Sequence, residues 1–129
     1  MVKFSIACQS KMRNVVASLV DTLGDDTANL AMRVGLHSGP VTGGVLRGDK
    51  SRFQLFGDTV NTASRMESNG MSGMIHVSES TAEELKKFGR SSWLVAREKK
   101  LPVKGKGDMQ TYFVQAKTIT ASVSQVSGL

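Results

Sequence analysis

Cysteine, proline, histidine and aromatic residues are all scarce in this chain, and no acidic residue occurs before Asp21. Cys8 stands alone, so no disulfide framework can form and no cysteine-built zinc site is possible. His37 and His76 are far apart and lack ligand spacing, and both read as structural residues at strand ends. No stretch approaches the ~20 apolar residues of a membrane span, and no signal peptide opens the sequence. A reducing, cytoplasmic setting fits these absences, which do not exclude membrane helices in a longer parent. With one Trp, one Tyr and five Phe, the chain lacks aromatic-rich strands for stacking bases. Phe53 and Phe56 do not form that motif, which argues against an RNA-binding module.

What is present suits one domain. A length of 129 residues with 40% hydrophobic content allows a modest core. Seventeen Lys and Arg against eleven Asp and Glu give a formal charge of +6. That balance suits a nucleotide, a nucleic acid or an acidic membrane surface without choosing among them. Eight basic residues between Lys86 and Lys106 face one acid, Glu98, and most of them read as a solvated face.

Phe4, Cys8, Met12, Val15, Val16, Leu19, Val20 and Leu23 recur at helical spacing, which predicts an amphipathic helix over 4–23, ended by Gly24-Asp25-Asp26. Leu30 to Leu36 reads as a strand, and Ser38-Gly39-Pro40 as a turn. Val41 to Leu46 reads as a second strand, whose Gly43 and Gly44 imply close backbone approach. Met74 to Val77 is a short strand, and Ser80 with Glu83 forms a capping box for a helix through Leu85 to Phe88. Trp93 to Arg97, Leu101 to Val103 and Met109 to Ala116 read as strands, and 118–129 as a frayed tail. No internal repeat or linker is present. Alternating strands and helices predict an α/β or α+β sheet packed on one face by helices.

Between Ser51 and Asn69 the chain reads SRFQLFGDTVNTASRMESN. Phe53 to Phe56 suits a strand, Gly57-Asp58-Thr59 breaks it, and Asp58 suits the cap of a helix. Asn61 and Arg65, four residues apart, then project from one helix face. An amide donor beside a guanidinium, just past a helix N-terminus, suits an anion that gains charge during a reaction. The alternative is a surface arginine paired with Glu67 or Asp58. In Val103-Lys-Gly-Lys-Gly107, glycines around Lys106 let the backbone turn tightly while a basic side chain meets a polyanion. Gly43 to Gly48 has the glycine spacing of a Walker loop, but Asp49 stands where lysine is required.

The Ser51–Asn69 stretch resembles the signature of the class III nucleotidyl cyclases, the adenylate and guanylate cyclases. Three further blocks resemble the same family in the same order: Arg33-Val-Gly-Leu-His-Ser-Gly-Pro-Val41, Gly73-Met-Ile-His-Val-Ser-Glu-Ser-Thr81 and Val103 to Val114. The resemblance implies a ferredoxin-like α+β sandwich of the nucleotidyl cyclase type, over residues 1–117. The expected reaction forms a 3′,5′-cyclic nucleotide and pyrophosphate from GTP or ATP. Asn61 would orient the ribose, Arg65 would bear on the α-phosphate, and Lys104 would bind the terminal phosphates, with Lys106 a secondary candidate. Gln54 occupies the position that reads the purine edge, where cysteine or aspartate is usual. Its amide both donates and accepts, so it suits guanine or adenine. Phe56, Gly57 and Asp58 complete the expected substrate-binding set. The wording of the Phe-Gly-Asp-Thr-Val-Asn segment leans slightly to GTP.

The family also uses two Mg²⁺ or Mn²⁺ ions held by a pair of aspartates from its first strands. Asp21, Asp25 and Asp26 fall at a helix end and read as turn residues, so no metal ligand is expected in this chain, which resembles the later part of the domain, truncated on its N-terminal side. Family active sites form between two domains packed head to tail. The chain is therefore expected to lend half a site to a second cyclase domain, and to be inactive alone. A membrane link would come only through other parts of a longer parent, on its cytoplasmic side. No nucleic acid partner is expected. The rival reading is a catalytically inactive cyclase-like domain that binds nucleotide or regulates a partner.

Overall fold

The computed structural model describes residues 1–115. The expected tail, and Ala116 and Lys117 before it, lie outside the described residues. In chain order the elements are α1 (Val2–Leu23), β1 (Val34–Leu36), β2 (Thr42–Leu46), β3 (Arg52–Phe56), α2 (Asp58–Ser68), β4 (Ile75–Ser78), α3 (Glu79–Lys87), β5 (Leu94–Ala96), β6 (Leu101–Val103), β7 (Gly107–Met109) and β8 (Thr111–Val114), with short 3-10 turns at Asp25–Asn29 and Ser91–Trp93.

Four strands form a mixed sheet in the order β1-β4-β8-β5, while β2–β3 and β6–β7 are separate antiparallel ribbons. β1 runs parallel to β4, and β8 is antiparallel to both β4 and β5. The register sets two faces. Ile75 and Val77 of β4 join Val114, Trp93, Ala82 of α3, and Val2 and Ile6 of α1 in one apolar cluster. His76 points to the opposite face, where its Nδ1–H donates to the Met66 carbonyl of α2 at 2.8 Å. On that side Met66 packs with Leu101 and Val103. The helices thus divide between two faces, which corrects the expectation of one. Gly35, paired with His76, explains how α2 comes so close: a Cβ there would lie 2.0 Å from the Glu67 backbone nitrogen. The close backbone approach is here and not at Gly43 or Gly44, whose added Cβ would meet only the Phe53 and Phe56 rings and the tip of Leu55.

Other expectations change for local reasons. The first helix buries Val2, Ser5, Ile6, Gln9 and Val16, while Phe4 and Leu23 of the predicted stripe stay exposed. The face that meets the sheet is set by where Ile75 and Val77 lie. The strand predicted over 30–36 is paired only from Val34, because its partner begins at Ile75. The strand predicted over 109–116 is broken at Gln110. Up to Met109 the chain pairs with β6, and from Thr111 it pairs with β4 and β5. Helix α3 is capped by Ser78 and not by a Ser80–Glu83 box. The chain passes from β4 straight into the helix, so the last strand residue is the cap, its Oγ accepting from Thr81 N. Ser80 instead donates to the Ser38 carbonyl at 2.9 Å, and Glu83 pairs with Lys86.

Candidate active site

Helix α2 begins where strand β3 stops. Gly57, at φ 115°, takes the left-handed backbone that lets the chain reverse without a side-chain clash. Asp58 does not cap the helix as expected. Gly57 is the cap residue and no side chain serves it. Asp58 is the first helical residue, where the helix dipole favours its charge. Its Oδ2 lies 2.6 Å from Lys106 Nζ.

Asn61 and Arg65 lie on this helix one turn apart, Asn61 exposed and Arg65 half-buried. Both acids that could have neutralised Arg65 are engaged elsewhere: Glu67 meets Arg33 at 2.6 Å and Asp58 meets Lys106. Arg65 makes no ion pair among the described residues. The structure therefore favours neither pairing that the alternative reading required.

Lys104 and Lys106 sit in the turn joining β6 to β7, closed by Lys106 N donating to the Val103 carbonyl at 2.9 Å. Gly105 and Gly107 both have positive φ, 81° and 72°, so this turn needs the glycines the sequence places there. Lys104 is exposed without an ion pair among the described residues. The Lys106 side chain is partly covered and is occupied by Asp58.

Gln54 and Phe56 project from the same face of β3, and both are exposed. The residue paired with Gln54 is Gly44, so no side chain faces its amide from across the ribbon. The ribbon leads directly into α2, and this continuity joins Gln54 to Asn61.

Sequence reasoning missed the supports of this helix start. Thr59 Oγ1 donates to the Pro40 carbonyl at 2.6 Å, which braces the turn after β1 against α2. His37 Nδ1 lies 2.7 Å from Ser78 Oγ and 3.1 Å from Ser80 Oγ, and Ser38 Oγ lies 3.0 Å from Thr81 Oγ1. Burial, then the nearby Lys106 charge, lower the His37 pKa, with Asp58 opposing. His76 is structural, as expected, though it lies within β4 and not at its end. Burial lowers its pKa, so the neutral ring donates from Nδ1 to Met66 and accepts at Nε2 from the Thr111 hydroxyl at 2.8 Å. A Thr followed by Val-Asn, or a His in an Ile-Val strand, carries no signal of such partners.

No group of three His, Cys, Asp or Glu residues among the described residues could hold a metal ion. Asp21 lies in the last turn of α1, and Asp25 and Asp26 open the following 3-10 turn. These residues do not fit a two-metal site.

Residues 1–116 match the family model of the adenylate and guanylate cyclase catalytic domain. The chain belongs to this family. It is 41% identical over 110 residues to Guanylate cyclase 32E of Drosophila melanogaster, covering 81% of this chain and 9% of that protein. It is 42% identical over 99 residues to the guanylate cyclase soluble subunit beta-2 of Rattus norvegicus, covering 77% and 14%. Among solved structures, the guanylate cyclase domain of RhGC from Catenaria anguillulae, in complex with GTP, is 43% identical with a TM-score of 0.57, covering 80% of this chain and 54% of that one. The adenylyl cyclase CyaB of P. aeruginosa superimposes with a TM-score of 0.75 at 26% identity, covering 88% and 56%. The chain thus spans about half of these solved chains, and a small part of the curated relatives. Its mixed α/β sheet is the fold of nucleotidyl cyclase catalytic domains.

Proposed function

We propose that this chain supplies the transition-state and triphosphate half of a nucleotidyl cyclase site, with GTP slightly favoured over ATP. The reading rests on one observation above the others: Arg65 stands beside Asn61 on α2 while Glu67 and Asp58 are each held by another cation. Arg65 lies in the last turn of α2, one turn beyond Asn61, and an arginine without an ion pair there is available to donate to developing phosphate charge. In the reaction the ribose 3′-oxygen loses its proton and bonds to the α-phosphorus as the bond to the β-phosphate oxygen breaks, releasing pyrophosphate. Asn61 holds the ribose so that attack is in line, Arg65 carries charge on the pentavalent phosphorus, and Lys104 binds the terminal phosphates. Gln54 reads the base edge. Similarity to guanylate cyclases, one of them in complex with GTP, supports the preference for guanine.

The metal chemistry of the family has no ligands among the described residues. The carboxylates would come from another segment or from a second cyclase domain. The β2–β3 ribbon supports a partner: Phe53 is 73% exposed and Val45 62%. Complementation is the test. The chain is mixed with a cyclase domain that keeps its aspartates but has lost its own Asn and Arg, then given ATP and GTP with Mn²⁺, and the product is identified by mass spectrometry. Cyclic product that vanishes with Arg65→Ala supports the half-site and names the base. No product from a folded, dimerised mixture replaces it with the regulatory reading.

A further inference from the structure

We infer that Asp58 and Lys106 are a positioning pair that clamps the phosphate-binding turn onto the start of α2, and are not two further substrate ligands. The inference rests on the roles proposed above for Asn61, Arg65 and Lys104.

The turn between β6 and β7 is anchored at its root and free at its tip. Leu101 and Val103 are buried against Met66, whereas residues 104–107 are exposed. β6 and β7 are three residues each and pair only with one another. Such a short ribbon holds its tip weakly. The one ion pair at the tip runs from Lys106 Nζ to Asp58 Oδ2. Its consequence is geometric. Lys104, two residues from Lys106, is tied to the helix whose next turn presents Asn61 and then Arg65. The Thr59 hydroxyl braces the same helix turn from the other side through the Pro40 carbonyl. The α2 start is thereby held between two loops.

Charge assigns different roles to the two lysines. Asp58 neutralises Lys106, so a polyphosphate would have to displace a carboxylate to use it. Lys104 meets no such competitor among the described residues. The pair is half-exposed on the lysine side and open on the aspartate side, so it adds little to global stability, and its effect falls on where the turn sits.

The test compares Asp58→Asn, Lys106→Gln, the double variant, Lys106→Arg and Lys104→Gln by two readouts. The first is amide exchange at Gly105, Lys106 and Gly107 in the nucleotide-free chain. Asp58→Asn should speed exchange there while leaving β4 unchanged. The second is KM and kcat for GTP in the complemented mixture. Each single loss should raise KM about threefold with kcat nearly constant, the double should be no worse than either single, and Lys106→Arg should restore the parent value. The pair is refuted if exchange is unmoved by Asp58→Asn, whatever the kinetics. It is equally refuted if Lys106→Gln raises KM far more than Asp58→Asn and the effects add, because Lys106 would then be a phosphate ligand. Faster exchange together with an unaltered KM for Lys104→Gln leaves the clamp standing and removes the role given to Lys104. A mixture without activity removes the half-site reading, and exchange still decides the clamp.

Discussion

All four residues of β4 are buried, while all five of β3 are exposed, although each strand carries apolar residues, Ile75 and Val77 in one and Phe53, Leu55 and Phe56 in the other. β4 has a strand on each side, α1 and α3 over one face and α2 over the other. β3 has a single neighbour, β2, and no described layer covers either of its faces. The two regions teach that apolar strand character states a capacity for burial and not its fulfilment. They also meet at one place. The uncovered ribbon ends at Gly57 and the helix packed on the sheet begins at Asp58, so the candidate catalytic side chains stand at the border between core and exposed surface. The packed face supports them, and the open face leaves Asn61 accessible.

The sharpest way to separate the regions is to remove chemistry without touching packing. Arg65→Ala should lower product formation in the complemented mixture by about 10²–10³-fold, with the melting temperature of the chain nearly unchanged. A parallel fall in melting temperature would make Arg65 a structural residue. Removing packing on the sheet side should do the reverse. Met66 is fully buried, and Met66→Ala should cost about 2–5 kcal/mol in denaturant unfolding. A loss below ~1 kcal/mol would mean that the α2 interface is loose. Acid probes the same interface more gently. His37 and His76 both have pKa values lowered from 6.5, chiefly by burial, so the unfolded chain binds protons more readily. Stability should be full above about pH 6.5 and fall as the pH drops below it toward the lowered folded values. His76→Gln should flatten part of that dependence, as followed by thermal melts across pH. The smallest effect belongs to the ribbon. Phe53→Ser should alter the stability of the isolated chain by no more than ~0.5 kcal/mol while weakening association with a partner domain, measured by sedimentation. A large loss of stability would show that the ribbon packs on the core after all.

Much of this molecule is legible in its sequence. The elements from α2 to β6 fall within a residue or two of their predicted bounds, since Gly57, Asn69-Gly70 and Ser72-Gly73 punctuate the chain clearly. The juxtaposition of Asn61 and Arg65 follows from helix periodicity alone. The misreadings have a common origin. The face that α1 buries, the cap of α3, the break at Gln110 and the partner of Asp58 all depend on what lies across from a residue in space. Helical spacing marks Phe4 and Val15 as apolar, but only the sheet beneath Val2 and Ile6 decides which face is covered. Asp58 has the chemistry of a cap, yet a lysine 48 positions later in the sequence reaches its carboxylate.

By itself the sequence determined the chemical types at the candidate site, the glycines that its turns require and the family to which the chain belongs. These are local properties, set by side-chain chemistry and by the φ and ψ values each residue tolerates. The tertiary structure alone decided which acids are taken and which cations remain unpaired. Glu67 goes to Arg33 and Asp58 to Lys106, which leaves Arg65 and Lys104 without ion pairs among the described residues. Ion pairing depends on distances between side chains far apart in the chain, and those distances exist only once the sheet, α2 and the β6–β7 turn have packed together.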